Sequence, residues 1–409
     1  MRIALLNDKF GKPGASSSIV KQTAEALEKR GHTVCIITSH RKEEHGDIRR
    51  DNNLISLPIS YRIALRQYKS IRNAPVHAML KQELEAFQPD IVHAHNIHTY
   101  LTYDALRVAK SIANGVYITM HDVMSFSYDR LRTQRFLDSG GKDCSLSMMN
   151  HISAAGLQYN PLRNRAIRSA LSYADTVLPV SASLEHALHQ HGISHTTVLH
   201  NALDMKEWNA DQQKSDALRA KYHLNNRKVI LLAGRISKDK GVFALLTALA
   251  ELRKTVPEVL LLIAGKKDVW EACVQQSEAP SDIAQHYTCT GWLDHETMRS
   301  AFFASDVITT PSLCLDTFNM TNLEAMASAK PVVGTIFGGT PEVVQNDVTG
   351  YTCDPRDTAL YVSYLVGLLN DPAKAKQMGQ AGRTRAVEKF DLPVQISKLE
   401  ELYAMQCKI

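Results

Sequence analysis

The sequence predicts an α/β protein built as two doubly wound, parallel-sheet units facing across a cleft. Three observations carry this. Short apolar, β-branched runs alternate with amphipathic stretches along the whole chain, as strands covered on both faces require. The alternation pauses over the polar stretch from Asp204 to Asn226 and starts afresh at Lys228. The length, 409 residues, suits two domains of about 100–200 residues each.

The first series opens with Ile3-Ala-Leu-Leu6, read as a buried strand, followed by a Gly/Ser loop and a helix from about Ser18 to Arg30. Val34-Cys-Ile-Ile-Thr38, Asp90-Ile-Val-His-Ala-His95, Val116-Tyr-Ile-Thr119 and Thr176-Val-Leu-Pro-Val180 read as further strands. The second series comprises Lys228-Val-Ile-Leu-Leu-Ala233, Val259-Leu-Leu-Leu-Ile-Ala264, Tyr287-Thr-Cys-Thr290, Val307-Ile-Thr-Thr310 and Pro331-Val-Val-Gly334. Near the C-terminus, Val394, Ile396, Leu399, Leu402 and Tyr403 fall at helical spacing and need a surface to bury their stripe. The expected organisation is therefore a first domain over 1–205, a second over 206–389, and a terminal helix over 390–409 that packs back on the first domain.

Composition narrows the function. Glycine (20) and proline (14) are too few for a collagen-like or low-complexity chain. No apolar run reaches the ~18 residues of a membrane span, and Asp8 and Lys9 interrupt the N-terminal apolar stretch before it could serve as a signal peptide. The seven cysteines are scattered without a C-x-x-C pair, which fits a reducing compartment. A cytoplasmic location is expected. Charge is uneven: residues 1–200 hold 24 Lys/Arg against 17 Asp/Glu, and the remainder 23 against 25. Fourteen of the 17 histidines also lie in the first half, so that half is the one suited to an anionic partner.

Open α/β sheets bind ligands beyond the carboxyl ends of their strands, so the loops there carry the functional argument. Gly234-Arg-Ile-Ser-Lys-Asp-Lys-Gly241 follows a strand and opens a helix. Its glycines let a backbone approach closely, and Arg235 and Lys240 add two cations, a combination suited to a diphosphate. A solvated basic loop is the competing reading. In 311–327, Asp316 and Glu324 straddle a loop and a helix start, where carboxylates bind sugar and ribose hydroxyls well. Taken in isolation, the first could be a helix cap and the second a surface residue. Phe337-Gly-Gly-Thr-Pro-Glu342 begins another helix near Pro341. Gly11-Lys-Pro-Gly-Ala-Ser-Ser-Ser18 lacks both G-x-G-x-x-G and the Walker pattern, which argues against a nicotinamide-dependent dehydrogenase or a P-loop NTPase.

The order Gly-Arg-Ile-x-x-x-Lys-Gly, Asp-x7-Glu-Ala-Met-Ala, Pro-Val-Val and Gly-Gly-x-Pro-Glu resembles the retaining glycosyltransferases of the GT4 family, which have the GT-B fold. In the first half, Arg30-Gly-His-Thr-Val34, Pro89-Asp-Ile-Val-His-Ala-His95, Thr119-Met-His-Asp122, Val180-Ser181 and His200-Asn-Ala-Leu-Asp204 agree. The resemblance covers nearly the whole chain and is strongest from 228 to 355. It implies that the second domain binds a nucleotide-diphosphate sugar, most often a UDP-sugar, with Arg235 and Lys240 on the diphosphate and Glu324 on the ribose. It places Asp316 on the transferred sugar, with backbone amides from Phe318 through Asn319 to Met320 facing sugar and phosphates. The loops after Gly265 and Gly291-Trp292-Leu293 would receive the base, and the loop of Gly14 and Ala15 would close over the diphosphate from the side opposite the Gly234 loop. His121 would lie near the anomeric carbon. The acceptor would be a glycan, a lipid-linked sugar or another cell-envelope molecule, and neither a metal nor a cofactor is implied.

Three departures stand out: Asp316 replaces the usual glutamate, Phe318-Asn319 the usual Phe-Gly, and Ala15 and Ala202 two usual glycines. Asparagine tolerates left-handed backbone angles, so the turn at 319 is expected to survive. Two other functions share the architecture: a sugar-nucleotide 2-epimerase, and a non-catalytic nucleotide-sugar-binding relative.

Two further clusters deserve a reading. His93, His95 and His98 could hold a metal, but no carboxylate or cysteine accompanies them, and a structural role at the strand end is favoured. Arg62, Arg66, Lys69 and Arg72 share one face if helical, before Pro75 interrupts it. That face is either simply solvated or a dock for anionic lipid at the inner membrane face or for a phosphorylated acceptor. The long polar loop 126–150, with Arg130, Arg132 and Arg135, is a second acceptor-side candidate. Nucleic-acid binding is disfavoured, because aromatics do not interleave the basic residues.

Overall fold

Ile3, Ala4, Leu5 and Leu6 are completely buried on β1 (Arg2–Leu6), the middle of the first sheet in the computed structural model, which describes residues 1–10, 15–61 and 65–406. Among the described residues this sheet has seven strands. They are β1, β2 (Thr33–Arg41), β3 (Arg49–Asp51), β4 (Leu54–Ile59), β5 (Ile91–Ala94), β6 (Gly115–Met120) and β7 (Thr176–Pro179). Their order is β3-β4-β2-β1-β5-β6-β7. β1 pairs in parallel with β2 on one side and β5 on the other, Leu5 lying opposite Ile36 and His93. That reversal of direction beside β1 marks the doubly wound topology.

Two strands escaped the sequence reading. β4 contains Pro58, and β3 is the polar triplet Arg49, Arg50 and Asp51. β3 runs antiparallel to β4 at the sheet's edge, which corrects the expectation of an all-parallel sheet. Asp8, just past β1, accepts hydrogen bonds from the backbone N–H groups of Thr99 (2.6 Å), Tyr100 (2.9 Å) and Leu101 (2.8 Å), and so fixes the loop after β5.

The first unit comprises Met1–Leu131, Cys144–Ala202 and Leu392–Ile409. Its C-terminal helix, Leu392–Gln406, buries Ile396, Leu399 and Tyr403 in the same core as Ile3, Leu5, Val20 and Leu27. Each such side chain contributes about 1.5–3 kcal/mol by leaving water. Glu400 on that helix also binds Arg30 (2.5 Å) and His32 (2.8 Å).

The second unit comprises Leu203–Asp391 and, unexpectedly, Arg132–Asp143. Its sheet has six strands among the described residues, all parallel, in the order β10-β9-β8-β11-β12-β13. They are β8 (Lys228–Ala233), β9 (Val259–Ala264), β10 (Tyr287–Cys289), β11 (Val307–Thr310), β12 (Val332–Thr335) and β13 (Gly350–Cys353), the last unforeseen. Helix Val242–Thr255 buries Val242, Leu245, Leu246, Leu249 and Leu252 against β8 and β9.

The polar stretch from 204 to 226 folds into a 3₁₀ turn, Met205–Glu207, and a helix, Gln212–Lys221, and buries Met205, Trp208, Leu218 and Leu224. The segment 126–150 is not one long loop, because it contains a short helix. Helix Gln134–Asp138, capped by Thr133, buries Phe136 against Phe337 (ring centroids 5.7 Å apart), and Arg356 bonds both Asp138 (2.8 Å) and the carbonyl of Leu137 (2.9 Å). These partners lie about two hundred residues downstream, beyond the reach of any local pattern. No helix among the described residues is long and apolar enough to cross a membrane.

Candidate active site

Three strand-end loops of the second unit converge on one residue, Asp316. The first follows β8: Gly234 has a φ of 107°, Lys238–Lys240 forms a 3₁₀ turn, and Gly241, at φ 76°, caps helix Val242–Thr255. The second follows β11 and carries Asp316. The third follows β12 and carries Gly338 and Gly339. β8, β11 and β12 are neighbours in the sheet, so their carboxyl ends share one rim. Lys240 Nζ donates to Asp316 Oδ2 at 2.5 Å, and Ser312 Oγ donates to the same oxygen at 2.9 Å. From the third loop, the Gly339 N–H donates to the carbonyl of Asp316 at 2.8 Å.

The glycines make this convergence possible. A Cβ on Gly241 would lie 1.7 Å from the carbonyl oxygen of Pro311, and one on Gly338 would lie 2.2 Å from that of Asp316. Both therefore serve the packing of backbone on backbone, a reason the sequence reading did not contain. A further tie joins the first two loops, where the Leu313 N–H donates to the carbonyl of Asp239 (2.8 Å).

Beneath the loops lies a buried polar chain that sequence reasoning missed. Thr310 Oγ1 donates to Asn322 Oδ1 (2.7 Å), and Asn322 Nδ2 donates to Thr340 Oγ1 (3.1 Å). All three residues are at most 4% exposed. The chain links β11, helix Met320–Ala327 and helix Thr340–Val343, so the second and third loops hold one relative position. The available signal was an asparagine on the inward face of a predicted helix, which must find partners when buried.

Asn319 corrects an expectation. Its φ is −77°, not left-handed, and its side chain caps helix Met320–Ala327 by accepting from the Thr321 N–H at 3.1 Å. An asparagine here is a helix cap and needs no glycine-like freedom. Phe318, which is buried, packs edge-on to Phe390 at 5.9 Å. Ala202 likewise has no left-handed backbone angle, although the family more often has glycine there.

Glu324, on the same helix as Met320, has its carboxyl pushed up to about 7 by burial. Arg235 is exposed on the first loop. Gly265 follows β9 and packs against Ile236. Trp292, 67% exposed, and Leu293, half-buried, follow β10. Thus Gly234, Arg235, Lys240, Gly265, Trp292, Leu293, Asp316, Phe318, Asn319, Met320 and Glu324 all belong to one unit. Ala15 is the first residue of helix Ala15–Lys29. Gly14 and Arg62 lie outside the described residues.

His121, directly after β6, belongs to the first unit. Its Nε2 lies 3.0 Å from His95 Nδ1, the two rings stacking at 5.3 Å, and His95 stacks in turn on His93 at 4.4 Å. His93 is held by Tyr403 Oη (2.6 Å) and Thr119 Oγ1 (2.7 Å). Buried His95 Nε2 has no hydrogen-bond partner. An unpaired lone pair costs less than an unpaired N–H, so His95 carries its proton on Nδ1 and donates it to His121.

Burial depresses all three histidines: His93 to about 3, His121 to about 4, and His95 well below its usual value. The folded protein keeps them neutral while the unfolded chain takes up protons below about pH 6.5. Their stabilisation is therefore complete above that pH and lost as the pH falls toward 4. His95→Asn keeps a donor at the Nδ1 position and does not titrate. We expect it to make the acid limb of a stability–pH curve shallower by up to about 1.4 kcal/mol per pH unit. An unchanged acid limb in urea melts would contradict this.

Among the described residues, Arg66, Lys69 and Arg72 do not share one helical face. Helix Arg66–Lys69 is one turn long, and Pro75 starts the next helix, Ala74–Phe87, where the sequence reading had it as a breaker. Arg72 lies 3.8 Å from Asp104, which is already paired with Arg107. Arg130 belongs to the first unit and Arg132 to the second.

Two doubly wound units, one carrying a cation–carboxylate junction at its sheet's carboxyl rim and the other a histidine at its own, define a two-domain sugar-transferring enzyme. Residues 16–207 match the model described as Glycosyltransferase Family 4, and residues 214–385 that described as Glycosyl transferases group 1. The chain belongs to this GT4-type family of glycosyltransferases, with the GT-B fold. It is 25% identical over 338 residues to glycogen synthase of Mycobacterium tuberculosis, spanning 80% of this chain and 73% of that one. It is 29% identical over 317 residues to α-maltose-1-phosphate synthase of Mycolicibacterium smegmatis, spanning 73% and 75% respectively. The crystal structure of Anabaena Alr3699/HepE in complex with UDP superposes with a TM-score of 0.72 over 99% of this chain and 100% of that one, at 19% identity.

Proposed function

We propose that this enzyme transfers a hexosyl group from a nucleoside-diphosphate sugar, with uridine as the base, to a glycan or lipid-linked acceptor, retaining the anomeric configuration and using no metal ion. The observation that carries this reading is the Lys240–Asp316 junction, where a cation and a carboxylate are held 2.5 Å apart beside the amino end of a helix. Arg235, Lys240 and that helix end supply the positive charge that a departing diphosphate needs. Solved relatives of the same fold include the UDP complex named above and one with UDP and glucose.

In the proposed reaction the acceptor oxygen bonds to the anomeric carbon on the face that the diphosphate leaves. The electron pair of the broken C–O bond goes to the phosphate oxygen, which takes the acceptor's proton. Asp316 orients sugar hydroxyls, Glu324 accepts from the ribose, and His121 contacts the sugar from the first unit. With Asn319 acting as a helix cap, its departure from glycine gives no support to an inactive relative.

Thermal-shift measurements with UDP-, GDP- and ADP-sugars test the donor. Ligand at about 100 times Kd adds about 2.7 kcal/mol, on the order of 5–10 °C in Tm. Stabilisation by none of the three would overturn the reading. NMR of the product anomer tests retention, and activity in EDTA tests metal independence. Product formed from donor alone would indicate the epimerase.

Glu324 supplies a pH test. Ribose hydroxyls donate more strongly, and to both oxygens, once the carboxyl is ionised, so UDP affinity should rise as the pH climbs through about 7 and then level off. Calorimetric Kd values for Glu324→Gln should be weaker and nearly flat over the same range. A parallel pH slope in both proteins would remove Glu324 from the ribose site.

A further inference from the structure

One helix of the first unit buries nothing. Met148–Ala155 has no buried residue. It is held by a capping box, in which the Asn150 N–H donates to Ser147 Oγ (3.2 Å) and the Ser147 N–H to Asn150 Oδ1 (2.9 Å). Met148 and Met149 are 64% and 69% exposed, and Leu157, in the following 3₁₀ turn, is fully exposed. Tyr159, just after that turn, accepts from Tyr68 Oη (3.2 Å), which brings the single-turn helix Arg66–Lys69 alongside. Leu65, Tyr68 and Leu162 extend the apolar exposure. Tyr128 packs against both His151 and Tyr159, so these short elements form one continuous face.

The stretches of chain that carry these elements hold charge of one sign. No Asp or Glu occurs from 52 to 82 or from 145 to 174, while exposed Arg66, Lys69, Arg165 and Arg168 lie within those stretches. An isologous contact between two copies would set these cations against their own equivalents. An anionic bilayer complements both features: methionine, leucine and tyrosine enter the headgroup boundary while arginine and lysine meet phosphates.

We propose that the face built from helix Arg66–Lys69, helix Met148–Ala155 and the turn Gly156–Gln158 docks on an anionic phospholipid membrane. It belongs to the first unit, whereas the donor loops belong to the second, and it does not rest on the reading of the donor. It also replaces the four-residue helical stripe expected from sequence with an apolar centre and a basic rim.

The test is flotation of the full chain with phosphatidylcholine vesicles, alone or mixed with phosphatidylglycerol. The chain should float with the mixed vesicles, bind pure phosphatidylcholine at least tenfold less, and be released by salt. Met148→Glu/Leu157→Glu alters side chains that touch little, so Tm and far-UV circular dichroism should stay unchanged while binding falls roughly tenfold or more. Arg66→Glu/Lys69→Glu should abolish the preference for anionic vesicles. Absence of binding to the mixed vesicles would overturn the proposal, as would a Met148→Glu/Leu157→Glu variant that floats like wild type. A dimer in sedimentation that this variant dissociates would assign the face to a second copy instead.

Discussion

Lys240→Ala should lower kcat by about 10²–10³, the usual effect of removing one donor aimed at charge that develops in the transition state. The structure adds a second consequence. Lys240 is the cation beside Asp316, with Nζ and Oδ2 at 2.5 Å and both side chains mostly buried. Without it, the carboxylate would meet the incoming diphosphate uncompensated, so donor Kd should weaken as well. Asp316→Asn removes that repulsion and leaves Ser312 Oγ a carbonyl to donate to. In a double-mutant cycle, donor Kd in Lys240→Ala/Asp316→Asn should therefore recover toward wild type, while kcat stays low because the leaving-group cation is still absent. Single-turnover kinetics with stopped donor binding would separate the two effects. Equal Kd values for Lys240→Ala and the double variant would mean that Asp316 does not feel the diphosphate. A wild-type kcat in Lys240→Ala would remove the lysine from the leaving group altogether.

What the sequence could and could not show follows from the range of each interaction. Central strands such as Val259-Leu-Leu-Leu-Ile-Ala264 announce themselves, because burial on both faces demands an unbroken apolar run. The edge does not. β3 needs only one partner and can be Arg49, Arg50 and Asp51, and β4 tolerates Pro58. The glycines and cations of the donor loops were legible as residue types suited to a diphosphate. Their pairing was not, since Lys240 and Asp316 are 76 positions apart. The same limit hid the chain from Thr310 through Asn322 to Thr340, and the docking of Phe136 beside Phe337. Asn319 failed for a different reason. Comparison with a family glycine directs attention to left-handed backbone angles, whereas asparagine's commoner use at a helix start is to cap it. The exposed methionines at 148 and 149 carried no signal in sequence, because an amphipathic helix ordinarily buries such residues.

Gly241→Ala distinguishes two explanations of the first donor loop. Residue types alone suggest that glycine there lets a phosphate come close. On that view alanine would impair nucleotide binding and leave the fold intact. The structure points to the backbone of the neighbouring loop: the new methyl would lie 1.7 Å from the Pro311 carbonyl oxygen and 2.7 Å from its carbon, at a φ of 76°. Neither obstacle is a side chain that can rotate away. Strain of the left-handed angle and displacement of Pro311 together should cost roughly 3–5 kcal/mol, lowering Tm by on the order of 10 °C or more. Activity should fall with stability, because the same shift carries Lys240 away from Asp316. Gly291→Ala is the internal control for backbone strain alone, with φ at 78° and nothing within 4 Å, and should cost only about 1–2 kcal/mol. Gly367→Ala, in the interior of helix Thr358–Asn370 with open space around it, should stabilise by about 0.5–1 kcal/mol. Differential scanning calorimetry of the three variants gives the ranking directly. A Gly241→Ala protein that melts with Gly291→Ala, yet fails to bind UDP, would return the glycine to the phosphate.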